Sequence, residues 1–124
     1  MGASHFKELT CWQLSNELKI AVYAVLAVAS EREDRSFCED LKRSARSAPA
    51  NIAEGFGRYS HREFAHFLSI ARASLVETEN HLQHLNDTRL LDSEDWRRLT
   101  DLCQRAQRAV AGLRAYLART PDRR

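Results

Sequence analysis

Apolar residues recur every three or four positions along almost the whole chain, and this spacing limits the fold more than any other feature. A spacing of three and four places side chains on one face of an α-helix. The 124 residues include only 4 Gly and 2 Pro, too few for the turns of an all-β domain. In the first segment the spacing links Leu14, Leu18, Val22, Val25 and Val28, and the apolar face is widened by Trp12, Ile20, Tyr23 and Leu26.

The pattern divides into four segments, which predict helices over residues 10–30, 36–56, 61–86 and 93–119. Ser60 and Glu63 have the spacing of a capping box at the start of the third helix, and Asp92 or Ser93 is expected to cap the fourth. Four amphipathic helices with short connections predict an all-α, antiparallel up-down-up-down bundle. We expect one domain over residues 1–120 and a frayed tail over residues 121–124.

Pro49 lies inside the second predicted helix, where proline removes one backbone hydrogen bond. The apolar face continues to Ile52, so a kink is expected rather than a stop. Gly55 and Gly57 are expected to end the helix. Asn51 could satisfy backbone groups freed by the proline, and Glu54 could pair with Arg43, Arg58 or Arg72. Both side chains fit a structural role at the kink, and a ligand site is the alternative.

The first predicted helix carries more apolar residues than one face of a bundle helix needs, since the run from Ile20 to Ala29 is almost unbroken. The surplus predicts either deeper burial or a subunit interface. The run is about half the length of a membrane-spanning helix, and the N-terminal residues show no secretory signal pattern. Three cysteines without a C-x-x-C spacing argue against a disulfide framework or zinc knuckle and favour the cytoplasm.

Basic residues are mostly arginine, with 16 Arg and three Lys for a formal net charge of only +2. Arginine favours forked contacts with carboxylates and phosphates. Five arginines fall within an arc of about 100° on the fourth predicted helix. This stripe fits a solvated face, and the same arginines could instead form a nucleic-acid surface or contact an acidic protein partner. Its members are Arg97, Arg98, Arg105, Arg108 and Arg119.

Catalytic and metal-binding patterns receive little support. Glu63 and His66 match the E-x-x-H of di-iron bundles, but no second pair accompanies them. Glu77, His81 and His84 share one strip and could hold a surface metal, against the simpler interpretation of a polar face. Nucleophile and phosphate-loop motifs are absent. We therefore expect no enzymatic activity, no catalytic residue, no metal and no cofactor.

Three stretches resemble the bacterial four-helix bundle proteins encoded in intervening sequences of 23S ribosomal RNA genes. They are F-K-E-L-T-C-W-Q from Phe6, S-A-P-A-N-I-A-E-G-F-G-R from Ser47, and R-E-F-A-H-F-L-S-I-A-R-A-S-L-V-E-T-E from Arg62. The family pattern carries over to Phe6, Leu9 and Trp12 at the start of the chain. In the second predicted helix it covers Pro49, Asn51, Ile52, Ala53, Glu54, Gly55 and Arg58. In the third it covers Phe64, Leu68, Ala71, Ser74 and Glu77.

This resemblance implies a cytosolic bundle without established enzymatic activity that assembles into a homopentameric ring. More distant relatives are the accessory proteins of diversity-generating retroelements, and they point to RNA, DNA or a nucleic-acid-processing protein as a partner. We therefore expect a non-enzymatic homo-oligomer that binds nucleic acid through arginine-rich surfaces. The alternative is a protein-interaction scaffold with no nucleic-acid role.

Overall fold

The computed structural model describes residues 2–122, and within them the chain forms a short 3₁₀ turn and four long helices, with no strand. The turn spans Phe6–Glu8 and the helices are α1 (Thr10–Ala29), α2 (Arg35–Phe56), α3 (His61–Asp87) and α4 (Ser93–Ala118). The predicted all-α class is confirmed, and each helix boundary lies within one residue of its prediction. The prediction for residues 121–124 falls partly on residues outside the described range.

Side-chain caps define where three of the helices begin. The Asp34 carboxylate accepts from the Phe37 amide at 2.7 Å, Ser60 from the Glu63 amide at 3.1 Å, and Asp92 from the Asp95 amide at 2.8 Å. Each contact satisfies an amide that has no partner within its own helix. Of the two candidate caps for α4, the structure selects Asp92. Asp34 lies in the polar run from Ser30 to Ser36 that separates the first two predicted helices, and the sequence pattern did not identify it as a cap.

The four helices pack around one core. Helices α1 and α3 each pack against both α2 and α4, so the four axes form a bundle-like arrangement. Leucine supplies most of the largest fully buried side chains, including Leu18, Leu41, Leu75 and Leu99. Cys11, Cys38 and Cys103 are free and buried in the same core.

Helix α1 departs from the expected core pattern. Leu18, Val22, Val25 and Leu26 are buried as their spacing predicts, but Val28 is 80% exposed and Ile20 is 60% exposed. The stripe predicted to include Val28 therefore turns away from the core at the end of α1. No helix in the described part of the chain has the length and hydropathy needed to cross a bilayer.

Helix α2 runs through Pro49 and ends at Phe56, followed by Gly57 as its C-cap. The expectation that Gly55 helps to end the helix is wrong, because Gly55 lies inside α2. Gly57 has φ −77°, so the end does not use the left-handed conformation that favours glycine. Gly55 instead serves the packing of α2 against α3.

Candidate functional site

The residues that carry the family pattern in α2 lie along its contact with α3. A Cβ built on Gly55 would lie 2.8 Å from Phe64 Cδ1 and 2.8 Å from Phe67 Cβ. Real Cβ atoms do not approach other heavy atoms so closely, and the side chains on α3 pack against backbone at this point. Gly55 therefore lets the two helices approach closely, and Ile52 is fully buried one turn earlier.

A ladder of hydroxyl groups continues the α2–α3 contact toward the other end of the bundle. Asn51 Nδ2 donates to the Ser47 carbonyl at 2.9 Å and to Ser47 Oγ at 3.0 Å, and Ser47 Oγ lies 2.8 Å from Ser74 Oγ. Thr78 Oγ1 lies 2.8 Å from both the Ser74 carbonyl and Ser44 Oγ. Because Ser44, Ser74 and Thr78 are buried, these bonds satisfy groups that would otherwise be costly to desolvate.

The side chain of Asn51 therefore connects to the hydroxyl ladder. Proline has no amide hydrogen, so Pro49 cannot supply the usual helical donor to the carbonyl four residues earlier, that of Ala45. The Asn51 amide instead binds the Ser47 carbonyl and hydroxyl. The structure links Asn51 to Ser74 through Ser47, and so joins two positions of the family pattern on different helices. Sequence reasoning did not single out Ser44 and Thr78, because hydroxyl residues inside a helix carry no spacing signal.

Arg58 covers the end of the same contact. Its Nη2 donates to Glu54 Oε2 at 2.8 Å, and its guanidinium carbon lies 4.7 Å from the centre of the Phe67 ring. Of the three arginines that could pair with Glu54, the structure therefore selects Arg58. Arg43 instead pairs with Glu77 at 2.7 Å. The polar residues of the family pattern, including the exposed ones, thus contact their neighbours within the fold.

The strip of Glu77, His81 and His84 does not converge on one point. His84 Nε2 lies 2.7 Å from Glu33 Oε2, whereas His81 Nε2 lies 3.5 Å from Glu77 Oε2 and makes no hydrogen bond among the described residues. Phe37 packs against both histidine rings at centroid distances of 5.3 and 4.5 Å. Within residues 2–122 no group of three or more His, Cys, Asp or Glu is placed to hold a metal ion.

The thiols are poor nucleophiles where they lie. Burial raises the pKa of Cys103 to about 12 and that of Cys11 to about 11, and Cys103 Sγ donates to the Leu75 carbonyl at 3.1 Å. Since the thiolate is the reactive form, both side chains act as small core residues.

All five arginines of the predicted α4 stripe are exposed. Arg98 and Arg105 lie 3.6 and 3.4 Å from Asp95 and Asp101, one helical turn away. The remaining members form no ion pair with any described residue: Arg97, Arg108 and Arg119. The stripe therefore offers three unneutralised guanidinium groups along one helix face.

The neighbouring surface of α3 and α4 adds arginines that sequence reasoning missed. Arg72 and Arg108 line one shallow groove with Gln104 and Gln107, and Arg72 and Arg114 line a second with Ser69, Ala73 and Val76. Arg72 and Arg114 also form no ion pair within the described part of the chain. Helical periodicity could not group them with the stripe, because Arg114 lies outside its arc and Arg72 belongs to another helix.

Comparison with known proteins gives a family for the sequence and a similar structure for the fold. The sequence pattern of the family described as 23S rRNA-intervening sequence protein matches residues 7–112. The fold is similar to the crystal structure of a protein of unknown function from the S23 ribosomal protein family of Bacteroides thetaiotaomicron. The TM-score is 0.76 at 22% sequence identity, and the match covers 85% of this chain and 98% of that chain. No curated protein sequence matches the chain.

Proposed function

This chain belongs to the 23S rRNA-intervening sequence protein family, and from that premise we propose a non-enzymatic, homo-oligomeric bundle protein that binds RNA through arginines on α4. The observation that carries the RNA-binding proposal is the set of three exposed α4 arginines without an ion pair among the described residues. Guanidinium groups that are not neutralised by carboxylates are available for phosphate oxygens. A helix face that repeats them can follow a nucleic-acid backbone.

Assembly strengthens this proposal. A single stripe with acidic neighbours such as Asp95 and Asp101 gives weak binding, but several copies held together bind one long RNA with much higher avidity. The homo-oligomer itself is supported by the exposed apolar residues of α1, since Ile20 is 60% exposed and Val28 is 80% exposed. A pentamer is the stoichiometry that the family resemblance implies. Sedimentation at micromolar concentration tests the homo-oligomer and its number of copies, and a monomer would contradict the proposal.

Salt-dependent binding of a structured RNA hairpin tests the α4 surface. We expect the double variant Arg97→Gln/Arg108→Gln to bind more weakly. The negative slope of log affinity against log salt should become shallower by about 2, one unit for each lost phosphate contact. The matched control is Arg32→Gln/Arg35→Gln, which removes the same charge from exposed positions outside α4.

Two results would contradict the RNA-binding proposal. One is the absence of binding by the unaltered protein at low salt. The other is an equal loss of affinity in the α4 variant and the control, which would show that net charge rather than the stripe determines binding.

The proposal also includes the order of the helices, the shape of α2 and the location of the protein. We infer an up-down-up-down order, supported by α2–α3 contacts that pair Gly55 with Phe64 near one end and Phe37 with His84 near the other. We also infer a bend of α2 at Pro49, because a proline inside a helix disrupts the preceding turn. A cytoplasmic location is part of the proposal, supported by three free cysteines.

The alternative function is a protein-interaction scaffold with no role in nucleic-acid binding. The exposed apolar residues of α1 favour it, because such a surface fits a protein partner as well as a second copy. An oligomer that binds no RNA at low salt would select this alternative.

A further inference from the structure

Two exposed surfaces with apolar centres lie on helices that do not neighbour each other. The first, the α1 strip, consists of Ile20, Tyr23, Ala24, Ala27 and Val28, all exposed and spaced at three and four residues. The second, the α3 groove, is a shallow groove of about 460 Å³ lined by Ser69, Arg72, Ala73, Val76 and Arg114. Val76 in this groove is 49% exposed.

The two surfaces lie on different sides of the bundle, so a copy cannot bring its own α1 strip into contact with its own α3 groove. Helices α1 and α3 both pack against α2 and α4, so they occupy opposite corners of the bundle. Contact between two different surfaces of identical chains is heterologous and repeats from copy to copy, closing into a ring when the rotation allows. A contact between two α1 strips would be symmetric and would stop at a dimer.

The two surfaces match in length. At a rise of about 1.5 Å per residue, the strip from Ile20 to Val28 is about 12 Å long, and the groove from Ser69 to Val76 is about 10 Å long. Small side chains at Ala24 and Ala27 face outward on α1, and Ala73 does so on α3. These allow two helices to approach closely, with Ile20, Val28 and Val76 filling the contact.

The charges at the margins are complementary. Glu17 precedes the strip by one turn and Glu31 follows the end of α1, and both are exposed. Neither forms an ion pair within residues 2–122, and the same is true of Arg72 and Arg114 beside the groove. The margin of the strip that faces α2 carries basic residues instead. Lys42 lies over the Tyr23 ring, and Arg46 donates to the Tyr23 hydroxyl.

We propose that the α1 strip of one copy docks into the α3 groove of a second copy, with Glu17 and Glu31 near its Arg72 and Arg114. The inference rests on the proposed homo-oligomer and names the two faces that form it. The α4 stripe does not line the α3 groove, although Arg108 lines the neighbouring groove together with Arg72. Assembly and RNA binding therefore use adjacent surfaces.

Cysteine cross-linking tests the pairing of the two surfaces. All three native cysteines are buried, so engineered surface thiols report the contact without interference. We expect co-expressed Val28→Cys and Val76→Cys chains to be joined by a short bismaleimide, and neither variant alone to link to itself. Tyr59→Cys mixed with Val28→Cys is the control, because Tyr59 is 82% exposed and lies outside both surfaces.

A charge exchange provides the second measurement. We expect Glu17→Arg/Glu31→Arg and Arg72→Glu/Arg114→Glu each to lose the oligomer on sedimentation. A single chain that carries all four substitutions should recover it, because every contact then pairs opposite charges again, whatever the number of copies. An oligomer with no Val28–Val76 link, or with a Val28–Val28 link, would overturn this pairing and leave the homo-oligomer standing. A monomeric unaltered protein would overturn both.

Discussion

At the residue scale, the family pattern reflects packing between α2 and α3. Gly55 is needed because the side chains of Phe64 and Phe67 occupy the space where a Cβ would lie. Asn51 and Ser74 meet through Ser47, and Arg58 covers Phe67. A change at any of these positions should alter stability first and binding only through stability.

Gly55→Ala tests this view of the pattern. The added methyl would lie 2.8 Å from two atoms of α3, so we expect a loss of about 1–3 kcal/mol in the free energy of unfolding, measured by urea denaturation at one protein concentration. Gly112→Ala is the control, since nothing lies within 4 Å of its added methyl and alanine favours the helix by up to about 1 kcal/mol. Equal effects of the two substitutions would contradict the role given to Gly55.

The buried thiols give a second test at this scale. Because burial raises the pKa of Cys103 to about 12 and that of Cys11 to about 11, we expect neither to react with a thiol reagent in the folded protein at about pH 8. Both should react at once after denaturation. Rapid labelling of Cys103 in the native protein, located by mass spectrometry, would show that the core opens readily.

At the scale of the element, helix ends and cross-helix contacts define the bundle more sharply than periodicity does. Asp34 begins α2 through its bond to the Phe37 amide. Immediately before it, Glu33 accepts from the Asp34 amide at 2.9 Å and contacts His84 of α3 at 2.7 Å. This short connection therefore links the start of α2 to the last turns of α3.

Asp34→Ala should weaken α2 at its first turn. Loss of the cap leaves an amide without its partner, and we expect a cost of about 1 kcal/mol, measured by chemical denaturation with helicity followed by circular dichroism. Asp40→Ala changes the same residue type at an exposed position within α2 and should stay within about 0.5 kcal/mol of the unaltered protein. A comparable loss in both variants would mean that Asp34 contributes charge rather than a cap.

The contact of Glu33 predicts a pH dependence. The Asp34 amide, and after it the His84 side chain, holds the pKa of the Glu33 carboxyl below its ordinary value of 4.5. A carboxyl with a lowered pKa in the folded state contributes stability above that ordinary value, and the contribution is lost as the pH falls through the lowered pKa.

We therefore expect Glu33→Gln to be less stable than the unaltered protein at neutral pH, and the difference in stability to shrink as the pH falls below the ordinary carboxyl pKa of 4.5. Glu8, whose pKa is lowered by its bonds to Ser4, is present in both proteins and cancels in the comparison. A stability difference that does not change with pH would rule out the ionised form of Glu33 as its source.

At the scale of the whole molecule, the exposed face of α1 is the feature that a single copy leaves unexplained. Ile20, Tyr23 and Val28 belong to the most apolar segment of the chain, yet they face outward. A homo-oligomer that buries them is stabilised by mass action, because association favours the folded state.

The thermal midpoint should therefore rise with protein concentration. We expect an increase in the midpoint, measured by calorimetry, between about 1 and about 100 µM. Ile20→Arg should abolish this dependence, whereas Tyr59→Arg, a similar change at an exposed residue off the α1 strip, should preserve it. A midpoint independent of concentration would contradict assembly in this range.

Helix positions and the composition of the core follow from the sequence by itself, because both depend on local periodicity and on short-range caps. The expected four segments correspond to the four helices, and Leu18, Leu75 and Leu99 are buried as their spacing requires. Tertiary structure decided three features: the outward position of Val28, the need for glycine at position 55, and the hydroxyl ladder from Ser44 to Asn51. Each depends on which helices are neighbours and how closely they approach, and no pattern along one helix contains that information.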